Sequence, residues 1–370
     1  MKERRVYMSG FEPLRVAIVG CGNISGGYGK SLKTRPDRVE IVGAFDVDPD
    51  RAGAFAGEYG GRIYKSLKEV MDDPNVELVV NLTSHLAHAE ISGAALSSGK
   101  HVHSEKPLAA NREDGKRLLH LAEKHGVRLS CSPFTFLGEA QETARKAIRD
   151  GLIGNPLIVY AEMNWSRIES WHPSPEGFYQ AGAGPMLDVG VYTLSVLTAI
   201  LGPVTSVLGD ADILLPKRTI AQGSKAGKTF QVTTPDQITG FLTFASGAKA
   251  RVTASFLGYS RQAGVEFHGE EGTLILSGSH NFDAKVEIRT LKDSDWRVIP
   301  YVAEPFPGVQ WGLALFELAE SIRTGAPQRC TGQQAYHVLD ICLSILDSAE
   351  QGRSVAVEST FAPPPAMYFQ

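Results

Sequence analysis

From Leu14 to about Phe136 the chain alternates short apolar runs with longer stretches in which apolar residues recur at helical spacing. RVAIVG, VEIVGAFDV, ELVVNLT, HVHSE and VRLSCS have strand length, and several are apolar on both faces, as strands covered by helices on both sides must be. Between two of them, NREDGKRLLHLAEKHG predicts a helix that Asn111 caps, with Asp114 at the capping-box position and Gly126 as its stop. This alternation predicts an N-terminal Rossmann domain built on a doubly wound parallel sheet.

Beyond about Gly151 the rhythm changes to longer alternating strands joined by turn residues. In ITGFLTFASGAKARVTASF the four residues Ala245 to Ala248 make the connection, and GVEFHGEEGTLILSG continues the pattern. Two helices, around WGLALFELAESIRTG and QAYHVLDICLSILDSAEQG, close the chain, each stopped by a glycine. The expected architecture is α/β, with the Rossmann domain over residues 14–136 and a C-terminal α+β domain over 137–370 carrying a large, mainly antiparallel sheet. Residues 1–13 read as a flexible tail. The outer face of the second sheet needs a cover, and the alternation there includes Phe241, Leu242, Phe244, Val252 and Phe256. Apolar sheet faces of this kind mark interfaces.

Composition narrows the partners. With 37 Lys and Arg against 41 Asp and Glu, and no basic cluster longer than Arg4-Arg5, there is no nucleic-acid footprint. No window reaches the roughly 20 apolar residues of a membrane span. The four cysteines, Cys21, Cys131, Cys330 and Cys342, are scattered without a C-x-x-C pair, which fits a reducing, cytoplasmic compartment. Small molecules are the expected partners.

The first candidate site follows the first strand, in GCGNISGG. Gly20 and Gly22 match the first two glycines of G-x-G-x-x-G, whose bare backbone turns tightly and approaches a pyrophosphate at a helix N-terminus, with Asn23 and Ile24 in the same loop. Ser25 stands where the third glycine belongs. Asp46, ending the second strand near the expected spacing of about 20 residues, is placed to accept from the ribose hydroxyls. A 2′-phosphate there would meet Asp46 and Asp48 with no arginine immediately beside them, so the expected cofactor is NAD rather than NADP.

SEKPLA, Ser104 to Ala109, puts Glu105, Lys106 and Pro107 at a strand's carboxyl end, where doubly wound sheets bind ligands. Lys106 is expected to face the cofactor, with Glu105 as its counter-charge and Pro107 fixing the turn.

Taken in order, VGCGNIS, Asp46, NLTSHLAHAE, GKHVHSEKPLA and GPMLDVGVYTLSVLTAILGPV resemble the glucose-fructose oxidoreductase / inositol dehydrogenase / MocA family over nearly the whole chain. The resemblance implies that Lys106 is catalytic and adjacent to the nicotinamide, that the following proline is cis, and that Thr83, His85, His88 and Glu105 border the cofactor. It also implies a homodimer or homotetramer formed through the C-terminal sheet.

Most of that family carries D-x-G-x-H; here the sequence is Asp188-Val189-Gly190-Val191-Tyr192, a variation that some sugar-acting members share. MLDVGVYTLSVLTAILGP reads as an amphipathic helix with Asp188 and Tyr192 four apart on one face. Oxidising a carbinol requires a group that takes the hydroxyl proton, so Lys106 and Tyr192 are the expected acid/base pair, with Asp188 orienting the substrate. Trp171 and His172, in an aromatic-rich loop before that helix, are the expected substrate contacts, because a pyranose offers an apolar face beside directional hydroxyls. Arg167 and Glu169 in this loop read as a surface pair.

A metal at His85 and His88 lacks a carboxylate or cysteine to complete it, so none is expected. His101 and His103, on alternate strand positions, read as core residues. The expected activity is hydride transfer between NAD and a CH–OH carbon of a sugar, cyclitol or related polyol. The competing readings are an NAD-dependent glycosidase that works by transient oxidation and elimination, and a non-catalytic dinucleotide sensor.

Overall fold

Six strands precede residue 137, five that the apolar runs identify and one, β3, that they do not. In the computed structural model, which describes residue 10, residues 12–262 and residues 264–366, they are β1 (Leu14–Val19), β2 (Val39–Phe45), β3 (Arg62–Ile63), β4 (Leu78–Asn81), β5 (His101–Ser104) and β6 (Leu129–Cys131). The expected tail, residues 1–13, lies outside the described residues except for 10, 12 and 13. Strand β3 is two exposed residues, too short and too polar to leave an apolar signal. All six run parallel in the order β3-β2-β1-β4-β5-β6, so the order reverses between β1 and β4, where such sheets bind their ligands.

Five helices connect them: α1 (Ser25–Leu32), α2 (Pro49–Tyr59), α3 (Leu67–Asp72), α4 (His88–Ser97) and α5 (Arg112–His125). The caps of α5 are the expected ones. Asn111 Oδ1 accepts from Asp114 N at 2.8 Å, Asn111 Nδ2 donates to Asp114 Oδ2 at 2.9 Å, and Gly126 ends the helix at φ +64°.

The second compact unit comprises Gly138–Val309 and His337–Pro363. It contains α6 (Glu139–Arg149), β7 (Pro156–Asn164), α7 (Val191–Leu201), β8 (Val204–Asp212), the small hairpin β9 (Lys217–Thr219) and β10 (Thr229–Gln231), then β11 (Gln237–Phe244), β12 (Lys249–Ser255), β13 (Gly264–Gly269), β14 (Gly272–Leu276), β15 (Val286–Thr290) and β16 (Arg297–Val298). Nine strands, closed at one edge by β17 (Val355–Ala356), pair in the order β16-β15-β14-β13-β7-β12-β11-β8-β17, antiparallel except for β7 with β12. On β11, Ile238, Leu242 and Phe244 turn into the core, while Phe241 faces out. The expected apolar outer face is therefore corrected: of the five residues named for it, Leu242, Phe244, Val252 and Phe256 are buried on the inner side. Beside Phe241, Leu208 and Ile158, the outer face carries Arg251 paired with Glu162 at 2.9 Å and lying over Tyr160.

A domain boundary after Phe136 would leave everything downstream in the second unit, yet Gln310–Tyr336, with helix α8 (Leu313–Thr324), belongs to the first. Arg323 on α8 clasps Glu77 through two bonds of 2.8 and 2.7 Å and donates to the Glu12 and Pro13 carbonyls. Trp311 packs on Tyr28 at 5.7 Å, and Gly312 N donates to Ser31 Oγ at 2.8 Å. Within the last helix, α9 (Gly332–Gln351), the chain passes back to the second unit. Among the described residues no helix is long and apolar enough to cross a membrane.

Both units bury histidines that stay neutral, among them His103 in the first and His337 in the second. Burial pushes His103 down to about 3 and His337 to about 4. His337 Nε2 accepts from Val204 N at 2.9 Å, which a protonated ring could not do. An unfolded histidine titrates near 6.5, so the stability these groups contribute is intact above about pH 6.5 and lost as the pH falls from there towards 3–4, at up to about 1.4 kcal/mol per pH unit for each. The urea midpoint is expected to drop between pH 7 and pH 5; a midpoint that stays constant over that interval contradicts the assignment.

Candidate functional site

At the carboxyl end of β1 the backbone must turn sharply, and Gly20 does so at φ +91°. A Cβ there would sit 2.8 Å from Leu82 C and Thr83 N at the end of β4, so only glycine fits. At Gly22 the position of a Cβ is open, with nothing within 4 Å. Asn23 is exposed and Ile24 half-buried as they lead into α1, whose first turn has no acidic residue and whose N-cap Ile24 offers no capping side chain. Ser25, in the third glycine's place, turns its hydroxyl back onto Gly22 O at 2.7 Å. An open backbone bend leading into an uncapped helix start suits a pyrophosphate.

Asp46 is fixed against this loop. Its Oδ2 accepts from Cys21 N at 2.7 Å and its Oδ1 from Asp48 N at 2.9 Å. Each carboxylate oxygen keeps a second lone pair for a ribose hydroxyl. Capping of α2 falls to Asp48, which accepts from Asp50 N. Arg51, the nearest arginine in sequence, pairs with Asp48 at 3.3 Å.

Glu105, 6% exposed, is held by more than a neighbouring charge. Tyr28 donates to its Oε1 at 2.6 Å and Ser132 to the same oxygen at 2.9 Å, while Lys106 N donates to Oε2 at 3.2 Å. Each hydroxyl has one proton and gives it to the carboxylate, so His103 Nε2, 3.2 Å from the Tyr28 oxygen, is a donor, and its Nδ1 accepts from Ser130 at 2.9 Å. His103 is thus a core residue, as expected. Lys106 is half-buried, and the peptide bond to Pro107 is cis.

The strand ends are joined by His88, which is buried at the start of α4. Its Nδ1 lies 2.8 Å from Pro107 O and its Nε2 3.0 Å from Thr83 O, and burial holds its pKa below the usual histidine value. Thr83 in turn donates to Asn81 Oδ1 at 2.7 Å. Gly20, Asp46, Thr83, His88, Glu105 and Lys106 are thus brought to one end of the sheet. His85 is half-buried between Thr83 and His88 in sequence.

In the second unit, the segment before α7 departs from the expected regular helix. Met186–Gly190 winds as a π-helix, so Asp188 lies on a wider turn than Tyr192, which sits in the first turn of α7. Nor is α7 amphipathic: all of Val191–Leu201 except Ile200 is buried, because it packs against both α6 and β7. Glycine at 190 leaves room for the Met186 side chain of the same turn and for Ala254 of β12, since a Cβ there would meet Met186 Sδ at 2.5 Å and Ala254 Cβ at 3.3 Å.

Trp171 and His172 do lie together, their rings 5.6 Å apart, with Trp165 6.1 Å from Trp171. Trp165 directly follows β7 and carries no loop signal, so its place beside Trp171 is not evident from the sequence. The expected surface pair Arg167 and Glu169 is corrected. Glu169 is buried and bonds Arg218 at 2.8 Å and Tyr179 OH, while Arg218 also pairs with fully buried Asp236. Arg167 donates instead to Leu257 O. Beside Trp165 a polar cavity of about 650 Å³ is lined by Glu162, Asn164, Gln262, Ser279, His280 and Lys285 among others. His280 faces Tyr192, ring to ring, at 4.8 Å. The separated stretches that meet here share no local motif.

Comparison with known proteins gives one consistent family. Residues 14–132 match the GFO/IDH/MocA oxidoreductase family, NAD-binding Rossmann fold, and residues 141–275 match the GFO/IDH/MocA C-terminal domain. The chain is 28% identical over 327 residues to the 1,5-anhydro-D-fructose reductase of Ensifer adhaerens, covering 86% of this chain and 92% of that one. It is 24% identical over 351 residues to the myo-inositol 2-dehydrogenase of Thermotoga maritima, covering 93% and 99%. In fold it resembles a levoglucosan dehydrogenase solved with NADH and levoglucosan, with a TM-score of 0.82 at 21% identity, covering 94% of this chain and all of that one.

The open position at Gly22 yields a test of the nucleotide loop. Gly22→Ala is expected to leave the urea midpoint unchanged, since the added Cβ meets no protein atom within 4 Å, and to weaken NAD⁺ binding by about tenfold or more by filling the space above the helix start. Calorimetric titration showing undiminished affinity would place the pyrophosphate elsewhere.

Proposed function

The chain belongs to the GFO/IDH/MocA family of NAD-binding oxidoreductases, and from that premise we propose that it moves hydride between NAD and a CH–OH carbon of a sugar, cyclitol or related polyol. The observation that carries the reading is the loop Gly20 to Ser25, open at Gly22 and tied to Asp46 through Cys21 N. The anhydrofructose reductase and inositol dehydrogenase among its relatives support the substrate class.

NAD, when bound, supplies the two-electron acceptor or donor. Gly20, Gly22, Asn23 and Ile24 hold its pyrophosphate and Asp46 its ribose; two acidic side chains, Asp46 and Asp48, disfavour a 2′-phosphate. Thr83, His85, His88 and Glu105 border the cofactor, with the His88 ring set between the Thr83 and Pro107 carbonyls and donating to one of them. Lys106 and Tyr192 act as the acid/base pair on the substrate hydroxyl, Asp188 orients it, and Trp171 and His172 touch the substrate.

The protein works in a reducing cytoplasm, a reading supported by four buried free thiols, and it binds no nucleic acid, consistent with its net charge of -4. It assembles as a homodimer or homotetramer through the outer face of the nine-stranded sheet, where Phe241, Leu208 and Ile158 are exposed. Light scattering on Phe241→Lys is expected to show a smaller species than the unaltered protein; an unchanged mass removes this face from the interface.

Incubation with NAD⁺ and a panel of sugars, cyclitols and glycosides, following NADH and aglycone together, tests the activity. NADH formation is expected, falling by roughly 100-fold or more in Lys106→Ala. Aglycone release without net NADH would make the protein a glycosidase, and Tyr192→Phe with full turnover would remove Tyr192 from the pair.

A further inference from the structure

The loop after β14 is built as a mount for one side chain. Gln141 of α6, almost fully buried, donates its amide to Gly278 O at 3.3 Å and to Asn281 O at 2.9 Å, on either side of residue 280. Ser279 exchanges a hydrogen bond of 3.0 Å with Thr193 of α7. Phe282, fully buried, plugs against Gly138, where a Cβ would come within 2.4 Å of its ring, and its carbonyl accepts from Ala140 N at 2.9 Å. Three anchors in the five residues Gly278 to Phe282 are more than a surface turn needs. The residue so held is His280, its imidazole edge-on to the Tyr192 ring at 4.8 Å and 61°, and its other side lining the polar cavity of about 650 Å³.

Building on the activity proposed above, we infer that His280 is the proton outlet of Tyr192. A tyrosine titrates near 10 and cannot by itself release a proton to neutral water, whereas an imidazole titrates near 6.5. In the oxidising direction the substrate carbon gives hydride and its electron pair to NAD⁺, the hydroxyl proton goes to the Tyr192 oxygen, and the phenol's own proton passes to His280 and from there to water in the cavity. Reduction runs the same path inward. The His280 Nδ1 lies 3.1 Å from Asn281 Oδ1, which leaves Nε2 for the phenol's proton; besides Tyr192 from α7, the charged and titratable groups that line the cavity with it are Glu162 from β7, and Asp283 and Lys285 from its own loop. Each of the last three has another partner: Glu162 pairs with Arg251, Lys285 with Glu287, and Asp283 accepts from Gly308 N. His280 acts through Tyr192 and is therefore a positioning and relay residue.

His280→Phe keeps the ring packing and removes the titration. It is expected to leave KM within about twofold, to lower kcat by about 10- to 100-fold, and to abolish the acid limb of the kcat profile. In His280→Ala, free imidazole, small enough for the cavity, is expected to restore part of the lost rate. Independently of turnover, the His280 ring resonance in the unliganded protein is expected to titrate at a different pH in Tyr192→Phe than in the unaltered chain. A His280→Phe enzyme with the original kcat and pH profile overturns the relay, as does a His280 titration that Tyr192→Phe leaves unmoved. Absence of NADH formation by the unaltered protein on every polyol would instead overturn the proposed activity, and the resonance titration would still decide whether the two rings are coupled.

Discussion

A buried carboxylate at Glu105 is the constraint from which the first unit is organised. Removing such a charge from water costs several kcal/mol, and the cost is met only if donors converge on it. Tyr28, Ser132 and the Lys106 backbone supply them. The three donors sit on α1, at the end of β6, and in the turn that presents Lys106, so satisfying one charge fixes three elements. Because Tyr28 is four residues beyond the Gly20 to Ile24 loop, the same bond sets the helix start on which the pyrophosphate would lie. Charge-assisted bonds of this kind are about twice as strong as neutral ones, and losing one partner leaves the other group buried without it.

That constraint also accounts for the return of the chain. Tyr28 is large and fully buried, and its outer side, with the glycine face of α1, is covered by Trp311. Without the segment Gln310–Tyr336 the Glu105 cluster would lie close to water on that side. The second unit uses the same device. Arg218, 3% exposed, is compensated by Glu169 and Asp236, and it joins the β9–β10 hairpin to the loop that carries Trp171 and His172. Removing one partner of such a buried set typically costs about 3–5 kcal/mol, so the aromatic loop inherits its rigidity from charges beneath it.

The sequence carried the parallel sheet, the caps of α5, the glycine loop, Asp46 and the SEKPLA turn, because each is marked by a pattern of residues adjacent in the chain. It did not carry what depends on distant pairing. Glu169 looked like a surface acid until Arg218, 49 residues later, turned out to share its burial. Phe244 and Phe241 differ only by strand parity, and the apolar pattern alone did not say which faced out. The π turn at Asp188 leaves no signature in composition. His280 sits in a polar loop with no motif, and only Gln141, Thr193 and Tyr192, from other elements, give it meaning.

The central dependence is most directly tested by titrating NAD⁺ calorimetrically into Glu105→Gln, with circular dichroism to confirm that the fold is retained. Glutamine keeps the shape and removes the charge that draws Tyr28 and Ser132 together. The result expected is a folded protein that binds NAD⁺ several-fold more weakly. Affinity equal to that of the unaltered protein would contradict the claim that this carboxylate sets the nucleotide loop.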